Sequence, residues 1–457
     1  MADHTRFTAR NFSGLAVLMF TLSMVTVGFG AVDMVMIAPK GITAVAAVGQ
    51  ADVLVAAIFA FFTGVVDAFS SRLAIAEGEG STAMRLPVLA GAMALALVPC
   101  QLVGVALAAG TGPALSLFGQ KHELIPLITD YVGVRCCAVV PVLVYVAINE
   151  TLKICGLRNL SALVLVLGFA VNACLNWAFL YTGCSHLFSS PSAAVAYATV
   201  VAQTLMALSG ALLLRRQLRV RLMGFQRPQL DSVTQEFRSL ARTAPGIGVR
   251  HLNDYMGSVI PLLFIGTMGV ATLAAANIAT KIYTLFCRVP QACFAATFVF
   301  HGYALGREKA VPRAMVRRLA AYCAAPTAVA VVGTVLASSW LVSLFSDGSL
   351  PGPLARNLLL AYLSYLPAYF FEQFFGELLT NHQRGGLLMV SSSVITYALT
   401  IPLALYTVFV VHSPFFAIAS KGVSTAVLAV VFWRVLRGEQ TRSPLVVVGR
   451  ESEVGVA

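Results

Sequence analysis

The chain has 457 residues, of which 58% are hydrophobic and only 11% are charged, and its formal net charge is +12. This composition is too apolar for a soluble protein of this length. Runs of 18 or more apolar residues recur along the chain, and each is long enough to cross a hydrocarbon layer of about 30 Å as a helix. The composition therefore predicts an all-α polytopic membrane protein, and the absence of alternating strand patterns argues against a transmembrane β-barrel.

The hydropathy pattern predicts about twelve transmembrane helices. Their approximate ranges are 12–37, 44–70, 84–109, 131–152, 159–181, 191–214, 246–268, 271–297, 318–345, 355–380, 386–411 and 414–436. With both termini in the cytoplasm, the inner loops and tails hold most of the 31 Lys and Arg residues, whereas the outer loops hold only Lys40, Lys121 and Arg356. This asymmetry is the positive-inside signal and predicts cytoplasmic termini. The positive net charge then reflects loops that lie against anionic membrane lipid, and no nucleic-acid partner is expected.

The longest polar segment, residues 215–245, separates six predicted spans from six others. Its basic residues and Pro228 indicate a cytoplasmic linker. The predicted organisation is a first lobe of six helices over residues 1–214, this linker, a second lobe of six helices over residues 246–440, and a cytoplasmic tail over residues 441–457.

The two predicted lobes share an internal repeat. MIAPKGITAVAAVGQA, residues 36–51, aligns without gaps with FIGTMGVATLAAANIA, residues 264–279, and this alignment pairs Gly41 with Gly269. Each lobe has an even number of spans, so the lobes have the same orientation and are related by an axis along the membrane normal. We therefore expect two pseudo-symmetric six-helix lobes around a central cleft, which is a transporter architecture.

One carboxylate, Asp33, lies about one turn inside the outer end of the first predicted helix. A charged side chain within a bilayer costs at least about 2.5–3.5 kcal/mol, so an intramembrane acid indicates a functional site. Asn172 and Asn176, one turn apart on the fifth helix, and Thr199 on the sixth lie at similar depth. These side chains are expected to share hydrogen bonds, because an amide and a hydroxyl can partner a carboxyl group in either protonation state. The alternative is that Asp33 only holds helices together.

The second lobe contains another polar set. Asp254 on the seventh predicted helix and Glu372 on the tenth lie at similar depth, and Lys281 lies near the middle of the eighth. One interpretation is that Lys281 neutralises one of these acids and so fixes helix packing. The other is a second cation or substrate site. Glu150 and Glu377, at the inner ends of their helices, are expected to pair with nearby cytoplasmic Arg and Lys side chains.

Five segments carry a family resemblance. In the first lobe these are VDMVMIAPKGITAVAAVG, GLRNLSALVLVLGFAVNACLNWAFLYTG and AVAYATVVAQ; in the second lobe they are MGVATLAAANIATKI and HGYALG. Their order and spacing resemble the multidrug and toxic compound extrusion (MATE) transporters, within the multidrug, oligosaccharidyl-lipid and polysaccharide exporter (MOP) superfamily. The resemblance covers nearly the whole chain.

The resemblance implies a secondary active antiporter. Such a protein exports amphiphilic organic compounds, drugs or a natural product by alternating access, in exchange for protons or sodium. In proton-coupled prokaryotic members the first-helix Asp is the proposed protonation site, which assigns that role to Asp33 and supporting roles to Asn172 and Thr199. Asn176 stands where the family usually has a second carboxylate. One carboxylate with amides binds a cation such as sodium less strongly than two carboxylates do.

Other functional classes fit the sequence less well. The alternative is a lipid-linked oligosaccharide or polysaccharide flippase of the same superfamily, which usually has more spans and a more cationic cavity. No enzyme is expected, because HExxH and P-loop motifs are absent, and the missing P-loop favours an ion gradient as the driving force. The nine cysteines lack metal-ligand spacing, so no metal or other cofactor is expected.

The cellular setting follows from composition. The high ratio of Arg to Lys and the Ala-rich spans suggest a bacterial protein, so we expect a plasma (inner) membrane location. The expected partners are membrane lipid and a small amphiphilic organic substrate, and the expected functional state is a monomer.

Overall fold

The computed structural model describes residues 4–117, 122–221, 228–309, 311–344 and 352–450. The chain divides into two compact units. The N-unit comprises Thr21–Ala244, and the C-unit comprises the described residues up to Phe20 together with those from Pro245 onwards.

The N-unit is built from the first seven helices. These are α1 (Ala9–Ile37, whose first turns belong to the C-unit), α2 (Ile42–Glu79), α3 (Thr82–Leu117), α4 (Ile125–Cys137), α5 (Val139–Ile154), α6 (Arg158–Tyr181) and α7 (Pro191–Arg221). α4 and α5 form one span with a bend of 54°. The sequence predicted one span here, over 131–152, without a break.

Contacts with the neighbouring helix α3 explain the break between α4 and α5. Gly104 lies so close to α4 that an added Cβ would come within 2.6 Å of the Cys136 carbonyl oxygen. The Gln101 amide then reaches both sides of the break: it donates to the Cys136 carbonyl at 3.3 Å and accepts from the Val140 N–H at 3.1 Å. A side chain that satisfies the freed backbone groups is a recognised cause of helix kinks. The bend therefore depends on a tertiary contact.

The C-unit contains the remaining helices. These are α8 (Leu230–Gly266, whose first turns belong to the N-unit), α9 (Val270–Glu308), α10 (Arg313–Leu336), α11 (Ser338–Ser343), α12 (Gly352–Asn381), α13 (Gly385–Ile395), α14 (Ile401–Phe409), α15 (Pro414–Ala419) and α16 (Lys421–Arg450). A π-helical stretch, Thr396–Thr400, joins α13 to α14, whose second residue is Pro402.

The helices account for all twelve predicted spans. Within the described ranges, nine helical segments are long and apolar enough to cross a membrane, and the bent α4–α5 pair makes ten. α8 and α12 complete the twelve; they are long enough to span but more polar, because they carry Arg250, Asp254 and Glu372. The prediction of an all-α fold with about twelve membrane helices is therefore confirmed.

The internal repeat reappears in the backbone. Gly41 precedes α2 with φ 110° and ψ 160°, and Gly269 precedes α9 with φ 126° and ψ 157°. This conformation is essentially restricted to glycine. Gly156, after α5, and Gln383, after α12, are also matched, with φ of 75° and 58°. Equivalent positions of the two units thus make the same turns at helix ends.

The segment predicted as a linker, 215–245, is helical over most of its length. α7 continues to Arg221 and α8 begins at Leu230, whereas residues 222–227 lie outside the described part of the chain. The predicted tail similarly begins within α16, which continues to Arg450.

The start of α8 is an amphipathic helix packed on the N-unit. Val233 and Leu240 are buried, and the Val233 methyl groups lie against Gly91 of α3. On the polar side, Arg72 of α2 forms an ion pair with Glu236. A polar, basic composition does not distinguish such a helix from a loop, which explains why the sequence indicated a linker.

The first residues of the chain pack within the C-unit. The rings of Phe7 and Phe12 lie 5.6–6.0 Å from those of Phe300 on α9 and Tyr322 on α10, measured between centroids. Phe12 is fully buried in this aromatic cluster. These contacts explain why the residues up to Phe20 group with the C-unit, although the sequence organisation placed them in the first lobe.

A close helix crossing in the C-unit yields a stability prediction. An added Cβ at Gly246 of α8 would lie 2.1 Å from the carbonyl oxygen of Gly385, which is backbone and has little freedom to move. We expect Gly246→Ala to destabilise the protein by about 1–3 kcal/mol, as overpacking does. Thermal unfolding in detergent measures the effect as a lower apparent Tm.

The matched control is Gly333→Ala in α10, where no atom lies within 4 Å of the added Cβ. Alanine there should leave the apparent Tm unchanged or raise it, because alanine favours helix more than glycine does. Equal stability of the two variants would show that the α8–α13 crossing is not tightly packed.

Candidate functional site

Asp33 lies one turn before the end of α1 and is only 4% exposed. Its Oδ1 accepts a hydrogen bond of 2.6 Å from the Nδ2 of Asn176 on α6. Its Oδ2 lies 3.3 Å from the donating hydroxyl of Thr199 on α7. The carboxyl group is therefore held between three helices of the N-unit by neutral partners.

Asn172 completes the network on α6. Its Nδ2 donates to the Thr199 hydroxyl at 3.3 Å, and its Oδ1 accepts from the Asn176 Nδ2 at 3.3 Å. Both asparagines are fully buried. The structure thus brings together all four side chains that the sequence placed at one depth: Asp33, Asn172, Asn176 and Thr199.

The register of α6 explains this convergence. Asn172 and Asn176 are four residues apart, so they lie on one helix face, and Gly168 continues that face one turn earlier. An added Cβ at Gly168 would lie 2.2 Å from the Met206 sulfur of α7. The absent side chain lets α6 and α7 approach closely, so the amides can reach Thr199 and Asp33.

The network can satisfy Asp33 in either protonation state. An ionised carboxylate accepts the bonds from Asn176 and Thr199. A protonated carboxyl group donates instead, and the Asn176 Oδ1, which is buried without a hydrogen-bond partner among the described residues, can accept after rotation of the amide. The Thr199 hydroxyl also has a second acceptor, the Val195 carbonyl at 3.1 Å. The chemistry available here is reversible proton uptake.

Sequence reasoning missed two charged neighbours of this network. Asp52 of α2 is exposed, and its Oδ2 would lie 3.8 Å from a Cβ added at Gly30, less than one turn before Asp33. Arg135 of α4 donates to the Gln203 Oε1 at 3.0 Å and lies over the Phe59 ring. Each is a charged residue inside a predicted span, which is the signal that singled out Asp33.

The C-unit acids lie in a separate cluster with their own cations. The buried Arg250 of α8 lies 3.5 Å from Glu372 and 3.8 Å from Glu377, both on α12. Lys421, at the start of α16, lies 2.9 Å from the Asp254 carboxylate.

The Gln373 amide links the two ion pairs, donating to Glu372 at 2.8 Å and to Asp254 at 3.4 Å. The space between these groups is only about 30 Å³. Both acids thus face cations already supplied by the chain.

Lys281 does not neutralise either acid in this structure. Its neighbours Ala279 and Ile282 are buried, whereas Lys281 itself is exposed on α9. The helical phase therefore turns its ammonium group away from the packed face of α9. The charges at the helix ends do follow the sequence expectation, because Glu150 pairs with Lys153 and Glu377 pairs with Arg250.

Comparisons with known proteins agree with this architecture. The MatE family model matches residues 18–178 and 247–406, one segment in each half of the chain. The search of curated proteins gives no match.

Solved structures with the same fold cover nearly the whole chain. A multidrug resistance MATE family transporter of the MOP superfamily, solved in an outward-facing conformation, superposes with a TM-score of 0.79 at 18% identity, over 96% of this chain and 98% of its own. A MOP superfamily transporter from Pyrococcus furiosus, described as having a binding pocket of reverse polarity, gives a TM-score of 0.73 at 19% identity over the same shares. A MATE protein in complex with MaL6 gives 0.78 at 17% identity, again over 96% and 98%.

The two matched segments span most of the chain, and the structural matches show the same twelve-helix fold. The chain therefore belongs to the MatE family.

Proposed function

We propose that this transporter is an antiporter that exports amphiphilic organic compounds in exchange for protons, with Asp33 as the proton carrier. The observation that carries the proposal is the environment of Asp33, a buried carboxyl group whose hydrogen-bond partners are an amide and a hydroxyl. No cationic side chain hydrogen-bonds to Asp33, and Arg135 is a charged neighbour whose guanidinium bonds to Gln203 instead, so proton uptake is the proposed way to neutralise the charge.

The donor set favours a proton over sodium. A metal cation needs several oxygen ligands, whereas in this arrangement Asn176 presents an N–H to Asp33 at 2.6 Å, and its Oδ1 could serve as a ligand only after the amide rotates. Asn176 also occupies the position at which the family carries a second carboxylate.

The proposed cycle couples the charge of Asp33 to the state of α1. Proton entry from the outside neutralises Asp33, so α1 repacks and the N-unit releases substrate outward. Proton release to the cytoplasm accompanies substrate capture from that side. Coupling arises because the two states differ in their affinity for the proton and for the substrate.

The C-unit cluster has a structural role in this proposal. Two cationic side chains, Arg250 and Lys421, already face Asp254 and Glu372. A further cation would therefore bind only weakly there. The cluster joins α8, α12 and α16.

The proposed setting is a bacterial plasma membrane with both termini in the cytoplasm, as the distribution of Lys and Arg favours. The proposed functional state is a monomer.

Asp33→Asn should abolish coupled transport. In proteoliposomes with an imposed pH gradient, wild-type protein should move ethidium or another organic cation, and the variant should be slower by about tenfold or more, because an amide cannot take up the proton. A sodium gradient alone should drive no transport. Substrate binding by the variant should persist, which separates lost coupling from misfolding. Normal transport by Asp33→Asn would rule out the proposed carrier.

Asn176→Asp should create a cation preference that the wild-type protein lacks. Two carboxylates at hydrogen-bonding distance cannot both ionise without a shared proton or cation. We therefore expect sodium to raise the apparent Tm of Asn176→Asp and to leave that of the wild-type protein unchanged. A sodium-dependent Tm in the wild-type protein that disappears in Asp33→Asn would instead indicate sodium coupling.

The role of the C-unit cluster is tested by a double-mutant cycle. Arg250→Met should destabilise the protein by about 3–5 kcal/mol, because it leaves Glu372 buried without its cation. Adding Glu372→Gln should recover part of that loss. Glu372→Gln alone should retain pH-driven transport, unlike Asp33→Asn. Loss of proton coupling in Glu372→Gln, with folding intact, would place a coupling site in the C-unit.

A further inference from the structure

One cavity of the N-unit is an apolar groove that the proposed transport cycle does not use. Its volume is about 610 Å³, and it lies between α3 and α7 with α5 as its floor. The side chains that line it are apolar except for Thr151 and Arg215. The Thr151 hydroxyl is already bonded to the Ala147 carbonyl at 2.8 Å, so it presents no free donor to the groove.

Small residues create the space. Ala90 and Ala94 lie one turn apart on α3, and Ala211 lies opposite on α7. Large side chains at these positions would close the gap between the helices.

The rims of the groove are exposed and apolar. On α3, Val98 is 58% exposed, and on α7, Leu212 is 67% exposed. Such a surface on a membrane helix faces hydrocarbon, so lipid is the solvent available to the groove.

The groove has the depth of one membrane leaflet. Along α3 it extends from Leu86, four residues after the helix start, to Leu97. Eleven residues of helix span about 16 Å at 1.5 Å per residue, which is about half of a hydrocarbon core of roughly 30 Å. Its polar end, with Thr151 and Arg215, lies near the ends of α5 and α7, which the distribution of Lys and Arg assigns to the cytoplasmic side.

We propose that this groove binds an anionic phospholipid, with one acyl chain between α3 and α7 and the phosphate paired with Arg215. An apolar space of this size does not hold ordered water. If it were empty, the side chains that line it would lack van der Waals partners on that side. An acyl chain fills it, and Arg215 is the charged lining residue at the mouth, complementary to a phosphate. In the proposed orientation the lipid comes from the cytoplasmic leaflet, where anionic headgroups attract basic side chains.

The test is native mass spectrometry of protein released from vesicles that contain equal amounts of phosphatidylglycerol and phosphatidylethanolamine. The wild-type protein should retain a phosphatidylglycerol molecule. Ala94→Phe should remove it by filling the groove. Val98→Phe, one turn further along α3 on the exposed rim, is the matched control and should retain the lipid.

Arg215→Gln tests the headgroup contact without altering the groove. It should lower the ratio of retained phosphatidylglycerol to phosphatidylethanolamine by about fivefold, whereas its neighbour Arg216→Gln should leave the ratio unchanged. Equal lipid retention by Ala94→Phe and Val98→Phe would overturn the proposal, as would equal ratios for the two arginine variants. Displacement of the retained lipid by ethidium at transport concentrations would also overturn it, because the groove would then belong to the substrate path.

Discussion

A carboxyl group buried in hydrocarbon must be paired with a cation or must take up a proton, and the two units meet this constraint in different ways. In the N-unit, the hydrogen-bond partners of Asp33 are an amide and a hydroxyl, and in the proposed function its charge is neutralised by a proton. In the C-unit, Arg250 and Lys421 face the acids directly. Two halves built on one repeat thus differ: one holds a carboxyl group with neutral hydrogen-bond partners, and the other holds a cluster of ion pairs.

The Asp33 site depends on close helix packing. Gly168 allows α6 to approach α7, and the same face of α6 then presents Asn172 and Asn176 to the ends of α1 and α7. Two members of the network have a bonding alternative, because the Asn176 amide can rotate and the Thr199 hydroxyl can turn to the Val195 carbonyl. A change in the charge of Asp33 is therefore passed directly to three helices, which is the local requirement for coupling a proton to a conformational change.

The sequence was sufficient for features that have a periodic or compositional signal. Apolar runs located all twelve spans. The position of each residue along its helix predicted that Asp33, Asn172, Asn176 and Thr199 lie at one depth. Features set by tertiary contacts were missed. The α4–α5 bend depends on Gln101 of a neighbouring helix, and the cation partners of Asp254 and Glu372 depend on helical phase, which sequence depth alone does not give. Lys281 lay at a suitable depth but on the exposed face of α9.

The most direct test of the account is proton release on substrate binding, measured with a pH indicator in weakly buffered detergent solution. If Asp33 exchanges its proton for substrate, the wild-type protein should release about one proton per bound substrate, and Asp33→Asn should bind without release. Equal proton release by both proteins would contradict the assignment of Asp33 as the carrier.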